Sequence, residues 1–193
     1  IQSQNAGTIA GNLCNASPAA DGVPPLLILD AEVVLRSVAG ERSLALGSFV
    51  LGNRRTARRQ DELVTAIRIP KRATAGRSSF LKLGARKYLV ISIAMVAARL
   101  AVDARGTIEA AAVAVGSCSE VAVRLEALER ALIGRRADWE LPTVVAAEHM
   151  IPLQPIGDVR ATADYRRSAA VELVRRALAA CLDPALDPAR EAA

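Results

Sequence analysis

The chain has 193 residues, enough for one or two small domains with real cores. Hydrophobic residues make up 52% and aromatics only 3%, which excludes a disordered chain and leaves a core of Ala, Val, Leu and Ile. The excess of 25 basic over 20 acidic residues is mild, is spread over many arginines and has no interleaved aromatics, so no nucleic-acid partner is expected.

The first stretch with its own chemistry runs from Ala6 to Asp21: Ala-Gly-Thr-Ile-Ala-Gly-Asn-Leu-Cys-Asn-Ala-Ser-Pro-Ala-Ala-Asp. It has neither a helical nor a strand period and reads as a loop. Gly7 and Gly11 permit backbone angles that other residues avoid. Thr8, Asn12, Asn15 and Ser17 bring short hydrogen-bonding groups, and Pro18 stiffens the exit. Such a loop is either an ordinary polar surface loop or a nest of backbone N–H groups for an anion.

A turn at residues 22–25 leads to a short helix over Leu26–Asp30 with proline in its first turn. Ala31–Val38 and Ser43–Leu46 read as a hairpin around the turn at 39–42. Phe49–Arg59 is turn-rich and basic. Its cluster of Arg54, Arg55, Arg58 and Arg59 fits a solvated loop, with a phosphate or partner contact as the minority reading. Glu62–Pro70 alternates apolar and polar residues and predicts a strand. Lys71–Arg77 reads as a linker, so the expected units are 1–76 and 77–183, followed by a frayed tail at 184–193.

In the second unit, Ser79–Arg86 predicts a strand with Lys82 between Leu81 and Leu83. Ile91–Val102 and Thr107–Val115 read as a hairpin around a turn at 103–106, although alanine makes helix a competitor for Ile91–Leu100. The sheet so formed has three antiparallel strands. Glu120–Gly134 predicts a helix with Val121, Leu125, Leu128 and Leu132 on one face, Ser119 at its start and Gly134 at its end. Pro142–His149 is a second helix. Asp164–Leu182 is a third, capped by Asp164, with Val171, Val174, Leu178 and Leu182 inside and Arg166, Arg167, Arg175 and Arg176 outside. The fold class is α+β.

Thr-Ile-Ala-Gly-Asn at 8–12, followed by Asn-Ala-Ser-Pro-Ala-Ala-Asp at 15–21, resembles the second flavin loop of the FAD-binding medium subunit of molybdenum hydroxylases, of the aerobic carbon monoxide dehydrogenase and xanthine dehydrogenase type. That family's pattern has a glycine where Ala10 stands. The strand ending in Ile69-Pro70, the Phe80-x-Lys82-x-x-x-Arg86 strand, and Asp158–Arg166 resemble further signatures of the family, in the same order. The resemblance implies the C-terminal half of an FAD-binding α/β domain, then a three-stranded antiparallel sheet packed on a three-helix bundle. It implies FAD held by Thr8, Ile9, Ala10, Gly11 and Asn12, with Asp21 accepting hydrogen bonds, Val64 against the isoalloxazine and Lys82 beside the ring. Arg86 is expected to support the loop or a phosphate, or to sit in a surface ion pair.

Partner subunits are implied as well: a small one carrying two-iron two-sulfur clusters and a large one carrying the molybdopterin cofactor and oxidising the substrate. FAD then passes electrons to NAD, a quinone or another acceptor, in a dimer of heterotrimers. The chain begins at Ile1, close to this loop, and reads as the C-terminal part of a longer protein; a first glycine-rich loop is expected in an earlier segment. The competing reading is a cofactor-free interaction module of the same complex.

The remaining residues exclude other chemistries. Cys14, Cys118 and Cys181 show no Cys-x-x-Cys spacing for a cluster or a zinc ion, and their odd number fits a reducing cytoplasm. His149 is the only histidine, so no imidazole triad or two-histidine metal site is available, and it is expected at a helix end. There is no Walker loop, no Gly-x-Gly-x-x-Gly, no apolar run of membrane-spanning length and no catalytic residue to assign.

Overall fold

The computed structural model describes residues 6–87 and 90–182; the expected tail at 184–193 lies outside them. In chain order the first elements are α1 (Ile9–Asn15), α2 (Val23–Ile28), β1 (Glu32–Ser37), β2 (Gly40–Ala45), α3 (Leu46–Phe49), β3 (Val50–Gly52), β4 (Arg55–Thr56) and β5 (Leu63–Arg68). The predicted hairpin forms, with its closing pair at Ser37 and Gly40. β5 adds antiparallel to the other side of β1, giving the order β2-β1-β5. The short helix starts earlier than predicted, at Val23, because Pro24 and Pro25 have the φ of a first helical turn and need no N–H there. The basic loop is not fully solvated: Phe49 is buried, β3 and β4 form a small ribbon, and Arg58 donates to the Glu62 carbonyl at 2.7 Å.

Buried Glu62 anchors that loop. Its two carboxylate oxygens accept from Arg42 Nε at 2.6 Å and Nη2 at 2.8 Å, and Oε2 also accepts the Arg59 N–H at 2.7 Å. The Arg42 hydrogen bonds, ahead of the Arg59 amide, hold the Glu62 carboxyl down at about 2. A folded-state pKa below the unfolded value of about 4.3 stabilises the protein above that value, and the stabilisation is lost as pH falls to about 2. Chemical denaturation of the wild type should therefore show declining stability across that window. Glu62→Gln should lack this component; an unchanged pH profile would contradict the assignment.

A 3-10 turn at Lys71–Thr74 leads to the second sheet of β6 (Arg77–Leu83), β7 (Ala94–Val102), β8 (Ile108–Gly116) and β9 (Val123–Arg124), in that order and antiparallel throughout. The three expected strands are present and gain β9 as a short fourth. Ile91–Leu100 is not helical, and the reason its sequence was ambiguous is visible in the packing. β7 is buried on both faces, so no polar residue marks its alternation. Ala94, Val96, Ala98 and Leu100 face the core under the C-terminal helix, while Ala97, Ala112 and Ala114 belong to the core around α2 and β1. Small side chains on that second face let α2 approach closely: a Cβ on Gly116 would lie 3.0 Å from Pro24 Cγ.

The helical layer comprises α4 (Glu126–Leu132), two 3-10 turns at Leu141–Val144 and Ala147–Met150, and α5 (Ala163–Leu182). It is less regular than three helices. The segment expected to start α4 at Glu120 is instead drawn into the sheet, where Arg124 pairs with Ala114 and its guanidinium donates to Glu129 Oε1 at 2.6 Å and to the Leu27 carbonyl at 2.8 Å. Ser119 caps nothing; its hydroxyl donates to the Cys118 carbonyl and accepts the Gln154 N–H. Pro142–His149 breaks into two turns because Leu141, Val145 and Met150 must all reach the core. His149 closes the second turn, its Nδ1 accepting the Ala146 N–H at 3.1 Å. Thr162, not Asp164, caps α5, taking the Tyr165 N–H on its hydroxyl at 3.2 Å. Arg166 is buried rather than on the outer face of α5.

Candidate functional site

Thr8 organises the first part of the site. Its backbone is extended, its hydroxyl accepts the Gly11 N–H at 2.9 Å and its carbonyl accepts the Asn12 N–H at 3.0 Å. This is an N-cap, and it turns the expected loop at 9–15 into the short helix α1. Ala16, in the left-handed region at φ 47°, ends that helix and returns its N–H to the Leu13 carbonyl. The Gly11 and Asn12 amides are thus already used. Helical geometry leaves the Ile9 and Ala10 N–H groups without an intrahelical acceptor, at an exposed end of α1. Ala10 itself is helical and is not among the residues with positive φ, so its methyl carries no backbone strain. Gly11 is required for space: a Cβ there would lie 2.9 Å from Thr8 Oγ1.

Asn12 carries the site onward. Its Oδ1 accepts the Gly22 N–H at 3.2 Å, which closes the 13–21 segment back onto α1 and places Asp21 beside it. Asp21 Oδ2 accepts from Lys82 Nζ at 2.6 Å, and Oδ1 accepts from Ser92 Oγ at 2.8 Å. Lys82 and Ser92 come from β6 and from the segment just before β7. The carboxylate therefore ties the loop after α1 to the second sheet, and hydrogen bonds run from Thr8 through Asn12 to that loop and from Asp21 to Lys82. Val64 lies on β5 opposite Leu35, partly buried against the core that holds Leu13 of α1. Ser92 gave no signal in the sequence, being one serine in an apolar run.

A cleft of about 610 Å³ is lined by Ser17, Pro18, Ser92, Ser117, Asp158 and Arg160 among others. Gly11 and Lys82 do not line it. Arg166, in its wall, donates to the Ile93 and Ser117 carbonyls and to Asp158 Oδ1 at 2.7 Å. The backbone N–H of Arg160 first, and then the Arg166 guanidinium, hold the Asp158 carboxyl well below the usual carboxylate range. Among the described residues no group of histidine, cysteine and carboxylate side chains is placed to hold a metal, and no helix is long and apolar enough to cross a membrane.

Residues 1–72 match the family described as FAD binding domain in molybdopterin dehydrogenase, and residues 79–181 match the CO dehydrogenase flavoprotein C-terminal domain. The chain is 37% identical over 136 residues to the nicotinate dehydrogenase FAD-subunit of Eubacterium barkeri, covering 69% of this chain and 46% of that protein. It is 33% identical over 184 residues to the caffeine dehydrogenase subunit beta of a Pseudomonas species, covering 95% of this chain and 62% of that one. A solved structure of carbon monoxide dehydrogenase from Hydrogenophaga pseudoflava superposes with a TM-score of 0.85 at 30% identity, over 93% of this chain and 62% of the other. The chain thus spans between 46% and 62% of the length of these curated relatives.

Proposed function

We propose, since this chain belongs to the FAD-binding medium subunits of molybdenum hydroxylases, that it supplies the second flavin-binding loop and the sheet behind it in an oxidoreductase complex. When bound, FAD would supply a group that accepts electrons singly from one-electron carriers and can release them as a pair. The chain's own residues fit such a group. The exposed first turn of α1 offers the Ile9 and Ala10 N–H groups and the Thr8 cap to a diphosphate, with Gly11 and Asn12 shaping the turn. Asp21 is an acceptor for sugar or ring hydrogen bonds, Val64 offers an apolar contact, and Lys82 brings a cation. The carrying observation is the Asp21 carboxylate, which draws Lys82 of the second sheet to the loop that follows α1.

In this reading electrons arrive from two-iron two-sulfur clusters on a small subunit, supplied by a molybdenum-cofactor subunit that oxidises the substrate. They leave to NAD, a quinone or another acceptor. Two heterotrimers pair, in the cytoplasm. The names of the relatives, as FAD-subunit, medium chain or subunit beta of dehydrogenases, support the subunit role, and three cysteines outside any disulfide suit a reducing compartment. The full-length subunit purified with its partners should carry flavin absorbance. Lys82→Met should bind FAD roughly 10- to 100-fold more weakly, the equivalent of a charge-assisted hydrogen bond of about 1.5–3 kcal/mol. A flavin-free complex would overturn the reading.

A further inference from the structure

Ser92 is 1% exposed, and its hydroxyl is committed to Asp21 Oδ1 at 2.8 Å. It is held in place by its neighbour: the Ile93 N–H donates to the Leu83 carbonyl at 2.7 Å, and the Ile93 carbonyl accepts from buried Arg166. The opposite oxygen of Asp21 takes the Lys82 ammonium at 2.6 Å. Asp21 and Lys82 are both partly exposed, and the rotamer entropy of a lysine side chain opposes a single fixed position. Surface ion pairs between such groups are ordinarily loose. Here one end of the pair is fastened to a buried hydroxyl, which sets the carboxylate plane and leaves Oδ2 directed at Lys82.

We propose that Ser92 is a positioning residue: by anchoring Asp21 it pins the Lys82 ammonium, and so sets the reduction potential of the flavin. The proposal rests on the flavin reading above. Its chemistry is electrostatic. A cation held at a fixed place near the ring stabilises the extra negative charge of the reduced flavin. Without the hydroxyl, Asp21 turns toward water and Lys82 loses its anchor. The mobile cation then acts through solvent, where its field is several-fold weaker. The midpoint potential moves to more negative values.

The test uses the full-length subunit in its complex, with spectroelectrochemical titration of the flavin absorbance. Ser92→Ala should shift the midpoint potential negative, and Ser92→Thr, which keeps a hydroxyl, should restore most of it. An unchanged potential in Ser92→Ala, or equal shifts in both variants, overturns the proposal. A second readout needs no flavin: unfolding free energies of Ser92→Ala, Lys82→Met and the double variant. Asp21 lies between the two side chains, so their effects should be non-additive. Additive effects overturn the positioning role even if the complex binds no flavin, whereas flavin-free wild type with non-additive effects removes the flavin reading and with it the effect on potential, and leaves the positioning of Lys82.

Discussion

Replacing Gly76 with alanine is expected to destabilise the protein by about 2–5 kcal/mol, measured by urea denaturation of the full-length subunit. Gly76 joins the two sheets at φ +89°, a region in which any other residue is strained. Space forbids the side chain as well. A Cβ there would lie 2.1 Å from the Leu100 carbonyl oxygen and 2.7 Å from Ala101 Cα. Both are backbone atoms of β7, and Leu100 is the register partner of Arg77 at the start of β6. Neither atom can retreat without opening that pairing. Gly47→Ala is the control: its Cβ would meet only Leu27 Cδ2, at 3.9 Å, and the change should stay within about 0.5 kcal/mol. Equal effects at the two positions would mean that the approach of Gly76 to β7 is wrong.

Arg166→Met should destabilise by about 3–5 kcal/mol, because it breaks a buried charged network by removing one member. The guanidinium satisfies the carbonyls of Ile93 and Ser117 and one oxygen of Asp158. Ser117 sits at φ +62°, and its N–H donates to the Pro18 carbonyl, so Arg166 steadies a strained turn that touches the 17–21 segment. The loss should reach the site through Ile93 and Ser92, lowering flavin retention. Asp158 adds a pH signature. Its carboxyl is held low by the Arg160 amide first and then by Arg166, so its stabilisation is present near neutrality and fades as pH falls below about 4. The double variant Arg166→Met, Asp158→Asn should be less destabilised than the sum of the two single variants, since each removes the same contact. Additive losses would place the two side chains apart.

The site was legible where chemistry is local. Thr8, Gly11 and Asn12 stood out by residue type and order, and the structure uses each of them, though as cap, space and tether in a short helix. The helix was hidden because it is brief, apolar on one side only at Leu13, and started by a cap rather than by periodicity. Asp21 and Lys82 stood out only through resemblance; their meeting depends on how the sheets pack. Ser92 gave no signal, and Arg166 was expected on the outer face of its helix, for one reason. A serine in an apolar run and an arginine in a basic helix look like filler and solvent face until their partners, 71 and 73 positions away, are brought to them.

The amino-acid order by itself determined the α+β class, the β1–β2 hairpin, the strands β5, β6 and β8 and the long last helix, because turn residues and short-range periodicity act within a few residues. It also determined the family, through four short signatures. The tertiary structure alone decided that β7 is a strand buried on both faces, that residues 123–124 join the sheet, and that a carboxylate, an ammonium and a hydroxyl from separate segments meet. Those outcomes depend on which surfaces lose water together and on which buried polar groups find partners, and such terms exist only once distant parts of the chain are in contact.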